Sequence, residues 1–182
     1  MQHVYESSQW LPFPVPMVFA FLANPQNLPP LMPAWQQARI EELRLIAPPA
    51  PPVGSPGRLG TGVGTTMILS FRILPRLPFR MNWHAVITEF EWNSHFIDRQ
   101  AAGPFSHWRH RHSVKEELRE GVAGTLVKDR VEYKLPLGPL GGLLNAVAVH
   151  GQMRRTFDYR QRRMAELVPQ FVEILAKRRA SA

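Results

Sequence analysis

Alternation is the feature that most constrains how this chain can fold. In "TLVKDRVEYKL", residues 125–135, Val127, Asp129, Val131 and Tyr133 fall on one side of an extended strand, and Lys128, Arg130, Glu132 and Lys134 on the other. "TTMILSFRI", 65–73, sets Met67, Leu69, Phe71 and Ile73 opposite Arg72. In "RMNWHAVITEF", 80–90, Met81, Trp83, Ala85 and Ile87 alternate with Arg80, Asn82 and His84. A period of two with one apolar side and one charged side marks an antiparallel sheet that buries a single face. Such a sheet needs a cover.

The cover is legible at the other end of the chain. Leu143, Val147, His150, Met153, Phe157, Gln161, Met164, Val168, Phe171 and Leu175 recur at steps of three and four, which makes one stripe along a helix beginning near 140. Pro169 is expected to kink this helix or split off its last turns. Further strands are expected near 2–11, 36–46, 64–74, 79–92, 94–101, 105–117 and 124–135. Short helices are expected near 15–23 and 25–32, where the prolines suit helix starts and turns. "APPAPPVGSPGRLGTG", 47–62, admits no regular element and reads either as slack or as the rim or lid of a pocket. At 182 residues, with no internal repeat and no linker, the chain reads as a single domain spanning 1–182.

The expected fold class is α+β. A curved antiparallel sheet of about seven strands wraps around a long C-terminal helix, with two short helices after the first strand. This is the helix-grip architecture, and it leaves a cavity between sheet and helix. "PVPMVFAFLANPQNLPPLMP", "LPFRMNWHAVITEFEWNSHFIDRQAAGPFSHWRHRHSV", "GTLVKDRVEYKLPLGPLG" and "FDYRQRR" carry a resemblance to the START-like (SRPBCC) superfamily, in particular to a bacterial subgroup labelled polyketide cyclase/dehydrase. The resemblance covers nearly the whole chain. It implies a hydrophobic ligand, lipid-like or polyketide-like, held between sheet and helix, and no cofactor. It does not specify a reaction, because one fold hosts many functions.

Composition narrows the chemistry further. No cysteine is present, which removes disulfides, thiolate nucleophiles and cysteine-ligated zinc. No serine sits in a nucleophile-elbow pattern, and "GTGVG", 60–64, lacks the lysine and helix of a phosphate-binding loop. The N-terminus shows no basic stretch followed by an apolar run, and no apolar run approaches the ~20 residues that span a bilayer, so a cytoplasmic protein is expected. The formal charge of +8 is concentrated at the end: from residue 151 onward, eight basic residues face only Asp158, Glu166 and Glu173. A solvated helix face explains most of this. The terminal Lys177, Arg178 and Arg179 leave room for contact with an anionic membrane or protein.

"FSHWRHRHSV", 105–114, concentrates the chemistry. By parity Trp108, His110, His112 and Val114 share one face, and His107, Arg109, Arg111, Ser113 and Lys115 the other. Several unpaired cations cannot be buried cheaply, so the arginine row faces water and the two histidines point inward. No exposed aromatics interleave with those arginines, so no nucleic acid is expected. His-x-His on a strand presents two imidazoles to one ion. A third ligand would have to come from Asp129, Asp98, Glu89 or His150, and spacing alone supplies none, so no metal is expected. If the hairpin turns near Glu120–Gly121, Asp129 lies beside or opposite His112, and Tyr133 near Trp108. His110, His112 and Asp129 are then candidates for acid–base catalysis of the cyclase/dehydrase type that the resemblance implies, or for a polar patch that anchors a ligand. The expected pocket lining is Phe71, Trp83, Phe96, Asp98, Trp108, Val131, Tyr133, His150 and Phe157.

Overall fold

A computed structural model describes residues 1–53, 55–56, 60–72, 79–136 and 148–180, with the side chains of 179 and 180 left aside. Strands β1 (Gln2–Leu11), β2 (Arg39–Arg44), β3 (Thr66–Arg72), β4 (Arg80–Glu91), β5 (His95–Ala102), β6 (His107–Arg119) and β7 (Val122–Lys134) form one sheet in the order β1-β7-β6-β5-β4-β3-β2. Every neighbouring pair is antiparallel. Helix α1 (Val15–Ala23) follows β1, and three short 3-10 turns, Pro25–Asn27, Pro29–Leu31 and Ala34–Gln36, lead into β2. Helix α2 (His150–Ala180) closes the chain. The helix-grip expectation holds. No helix among the described residues is long and apolar enough to cross a membrane.

The β6–β7 hairpin is the backbone of the site, and its turn sets the register. Glu120 and Gly121 carry φ of 50° and 80°, the two positive values a two-residue type I′ turn requires. From that turn Val114 pairs with Val127, His112 with Asp129, His110 with Val131 and Trp108 with Tyr133. A slip of one residue would send this whole set to the wet side. At the far edge of β7, Gly124 allows β1 to approach: a Cβ there would lie 2.5 Å from the Leu11 carbonyl oxygen and 2.5 Å from the Trp10 ring.

Two apolar clusters fill the space between sheet and helices. One contains Phe19 and Phe21 of α1, Phe96, Val114, Val127, Met164 and Val168. Helix α1 is apolar nearly all round, and its last six residues are all buried, as such a helix must be. The other cluster joins Tyr5, Trp108, Val131, Tyr133, Met153 and Phe157. Helix α2 runs unbroken through Pro169, so the expected split does not occur. Proline leaves the Ala165 carbonyl without its helical donor. Burial of Val168, one residue earlier, holds the segment against the core. Leu143 and Val147, expected to open the helical stripe, lie outside the described residues.

The proline-rich loop is tied down rather than slack. The Gly62 amide donates to the Ile46 carbonyl at 2.9 Å, and Trp92 Nε1 to the Pro49 carbonyl at 2.7 Å. Its described parts therefore pack at the Phe90–Trp92 end of the sheet. That is the end occupied by the Phe19 cluster, where Phe19 meets Phe90 at 5.5 Å and Trp92 at 5.8 Å between ring centroids.

Candidate functional site

Between the two apolar clusters lies a knot of charge. His110 and His112 are each 6% exposed, Asp129 is 6% and Arg160 of α2 is 8%. Parity brings the two histidines inward on β6, with Asp129 opposite His112 on β7 and Asp98 opposite His110 on β5. His110 Nε2 lies 3.0 Å from Asp129 Oδ1, and His112 Nδ1 lies 2.8 Å from the same oxygen. On the other side, His112 Nε2 lies 3.0 Å and His110 Nδ1 3.6 Å from Asp98 Oδ2. The two rings are 3.7 Å apart at their centroids. Trp108 Nε1 donates to Asp98 Oδ1 at 3.3 Å, which fixes the carboxylate's other oxygen toward the imidazoles. Phe96 stacks on His112 at 4.3 Å, and Phe157 meets His110 edge-on at 5.6 Å.

Arg160 completes the cluster. Its Nη2 reaches to 3.8 Å from Asp129 Oδ1 and 3.2 Å from His112 Nδ1. The sequence reading counted Arg160 among the solvated cations of the tail, and the structure corrects that. The signal was available: 160 is three past Phe157 and four before Met164, so it falls on the buried stripe. The stripe position assigned to Gln161 is partly buried and used differently, its Nε2 donating to Ser7 Oγ at 2.6 Å.

Burial raises the free energy of every charge here, and the neighbours decide which survive. Burial pushes the Asp129 carboxyl up, but the Arg160 charge and the hydrogen bonds of both histidines hold it well below the usual carboxylate range. Asp98 is likewise pushed up by burial and brought below its ordinary value by its hydrogen bond with His112 and by the charges on His110 and His112. Burial pulls His112 down, and its bonds to Asp129 and Asp98 more than restore it, leaving it above the usual histidine value. His110 goes the other way: burial lowers it and the neighbouring His112 charge lowers it further, against the pull of Asp129 and Asp98. The carboxylates thus raise His112 only. Two like charges 3.7 Å apart do not both form readily. Against two carboxylates and one guanidinium, a single imidazolium is enough to bring the cluster to neutrality.

The expected lining residues divide. Val131 and Tyr133 are wholly buried, and Phe96, Trp108 and Phe157 nearly so. Phe71 and Trp83 stand half-buried. Their rings meet one another in sequence, Phe71 to Trp83 at 6.1 Å and Trp83 to Trp108 at 4.5 Å. Phe105, unassigned from sequence, joins this wall at 4.9 Å from Trp108 and 5.6 Å from Tyr133. His150 is exposed at the start of α2, edge-on to Tyr5 at 5.8 Å, and lies apart from the cluster. Glu89 is on the wet face with Arg109, 3.4 Å away. A groove of about 420 Å³ is also found on that outer face, lined by Glu6, Arg111, Lys128 and Arg130 among others. At the C-terminus Lys177 pairs with Glu173 at 2.6 Å and Arg178 is exposed, while the Arg179 side chain lies outside the described residues.

The absence of a metal was expected because no third ligand was evident. The sheet supplies one, since Asp98 comes within 4.8 Å of both histidine donors.

The chain matches no protein-family model, and no curated protein matches it significantly. Solved structures do match over nearly the whole length. One is Ara h 8.0201, at 13% identity and a TM-score of 0.59 over 93% of this chain and 99% of that one. Another is a START superfamily protein from Mycobacterium smegmatis, at 13% identity and 0.59 over 92% and 98%. The fold is START-like. A norcoclaurine synthase point mutant from Thalictrum flavum, in complex with a transition-state analogue, shares it at 15% identity and 0.57 over 93% and 96%. At this level of identity the likeness speaks for the START-like fold. What the site does rests on its own geometry.

Proposed function

We propose that this START-like domain binds a small to medium apolar molecule carrying a polar group, lipid-like or polyketide-like in character. The apolar body lies on the Phe71–Trp83–Phe105–Trp108 wall, and the polar group reaches the Asp98–His110–His112 cluster. One observation carries the reading. An aromatic row runs from half-buried rings at the surface to a charged cluster inside, joined at Trp108, whose ring packs on Trp83 and whose Nε1 bonds Asp98. Most binding sites combine an apolar lining with a few convergent polar groups in this way. A buried charge cluster is weak support for a purely structural role, since hydrophobic replacement of such groups is often neutral or stabilising.

Native mass spectrometry of the freshly purified chain, with anilinonaphthalene sulfonate as a fluorescent probe, tests this. The expected result is saturable binding of one probe per chain, displaced by fatty acids or aromatic polyketides. Trp83→Ala should weaken it roughly tenfold or more, the loss of about 1.4 kcal/mol of contact. Unsaturable probe binding, or binding indifferent to Trp83→Ala, would refute the reading.

A second reading follows from the paired imidazoles, His110 bonded to Asp129 Oδ1 and His112 to Asp98 Oδ2. That arrangement suits proton transfer to and from a bound carbonyl compound, the acid–base work of a cyclase or dehydrase. It separates from binding alone, because His112→Ala would then abolish turnover of a polyketide-like substrate while weakening probe affinity far less.

A further inference from the structure

We propose that Asp98, His110 and His112 form a site for one divalent transition-metal ion, with Asp129 as its outer-sphere support and an open position facing the aromatic wall. The proposal does not depend on an organic ligand being bound. It begins with valence. Both imidazoles direct one ring nitrogen at Asp129 Oδ1, at 3.0 Å from His110 Nε2 and 2.8 Å from His112 Nδ1. A carboxylate oxygen only accepts, so His110 Nε2 carries its proton. His112 Nδ1 also meets the Arg160 Nη2 donor at 3.2 Å, which leaves the His112 proton on Nε2, bonded to Asp98 Oδ2 at 3.0 Å. The opposite nitrogen of His110, Nδ1, then presents a lone pair, and His112 Nε2 presents one once an ion displaces its proton. Both nitrogens face Asp98 Oδ2, at 3.6 and 3.0 Å. The three atoms converge on one point, where a divalent ion would take the place of that single proton.

The dimensions fit such an ion. A tetrahedral zinc ion with bonds of about 2.0–2.1 Å sets its ligand atoms about 3.3 Å apart. The two edges to Asp98 Oδ2, 3.0 and 3.6 Å, bracket that spacing, and the three donor atoms all lie within 4.8 Å of one another. The surroundings fit as well. Histidine ligands usually give their other N–H to a carboxylate, which fixes the ring and raises its basicity, and Asp129 does this for His110. Trp108 holds the remaining Asp98 oxygen. The Asp98 side chain is the most open of the three ligands, at 18% exposed, and offers the way in.

The set of two histidines and one carboxylate, with no thiolate, suits zinc or ferrous iron and leaves at least one coordination position open, as catalytic rather than structural sites do. Charge says what fills it. Two carboxylates, Arg160 and a divalent ion with neutral histidines sum to +1, so the open position favours an anionic oxygen. Hydroxide or the carboxylate or enolate of an apolar acid would serve.

The test uses the full chain stripped with a chelator and titrated with Co²⁺ and Zn²⁺, without any organic probe. Uptake of one ion per chain is expected, with dissociation constants of about 1 μM or tighter and the visible absorption bands of four- or five-coordinate cobalt. Asp98→Asn and His112→Ala should abolish those bands, while Asp129→Asn should weaken uptake roughly 10- to 100-fold. His95→Ala should change nothing, although His95 lies 3.7 Å from Glu89 and 3.5 Å from Glu91 on the surface. Failure of the wild-type chain to take up one ion overturns the proposal whatever the variants do, and so does uptake that survives Asp98→Asn or follows His95. Native mass spectra of the wild type carry both readouts: a bound metal and a bound organic molecule appear as separate mass shifts, so either reading can fail alone.

Discussion

Replacing Arg160 by methionine isolates the one charge that the helix contributes to the interior. Methionine keeps the length and apolar stem of arginine and removes the guanidinium. At 3.8 Å the Arg160–Asp129 attraction is worth about 4 kcal/mol at an effective dielectric near 20. Against this stands a buried Nε without a hydrogen-bond partner, whose removal returns about 1 kcal/mol. The expected net loss of stability is therefore about 3 kcal/mol near pH 8, at the lower end of the range for breaking a buried pair. The loss should shrink in acid. Without Arg160 the cluster carries one excess negative charge, so His110, depressed in the wild type, rises and can take up the missing proton. A histidine with a raised folded pKa adds stability at low pH and gives it up as pH increases through that value. Urea denaturation of the chelator-treated chain, followed by tryptophan fluorescence, should show the difference between variant and wild type smaller by at least about 1 kcal/mol near pH 5.5 than near pH 8. Equal differences at the two pH values, or no loss at either, would refute the account of Arg160 as the counter-charge to Asp129.

Three further outcomes follow from the same structure. Gly124→Ala should lower stability by about 1–3 kcal/mol, because its Cβ meets the Leu11 carbonyl and the Trp10 ring at 2.5 Å, and a thermal melt will read it. Gly121→Ala has open space around the new Cβ but a φ of +80°, so it should cost only about 1 kcal/mol, all of it backbone strain. The wild-type, chelator-treated chain should be most stable between the two limits set by the cluster. Asp98, Asp129 and His110 have lowered folded values, so their contribution is lost as pH falls, whereas His112 has a raised value and its contribution is lost as pH rises through it. Urea midpoints measured across pH would show this as a maximum, and a flat profile would count against it.

The alternation of β3, β4 and β7 and the stripe of α2 are local properties, readable because an extended strand repeats every two residues and a helix every 3.6. They were enough to place the sheet, its buried face, the cover and the inward direction of His110, His112 and Asp129. The Glu120–Gly121 turn was legible too, and with it the pairing of His112 with Asp129, since a two-residue turn sets the register of both strands. Parity also put Asp98 inward, but which histidine it would meet depends on the β5–β6 register. No tight turn sets that register, because β5 and β6 are joined through residues 103–106. Arg160 was half legible, its place on the stripe readable but its direction not. Whether a cation on the edge of a helical stripe turns to water or to the core depends on what waits for it there, and Asp129 is 31 residues away in sequence on a different element. Pattern determines which face of each element is buried. Only the packing of one element on another decides which polar groups meet inside.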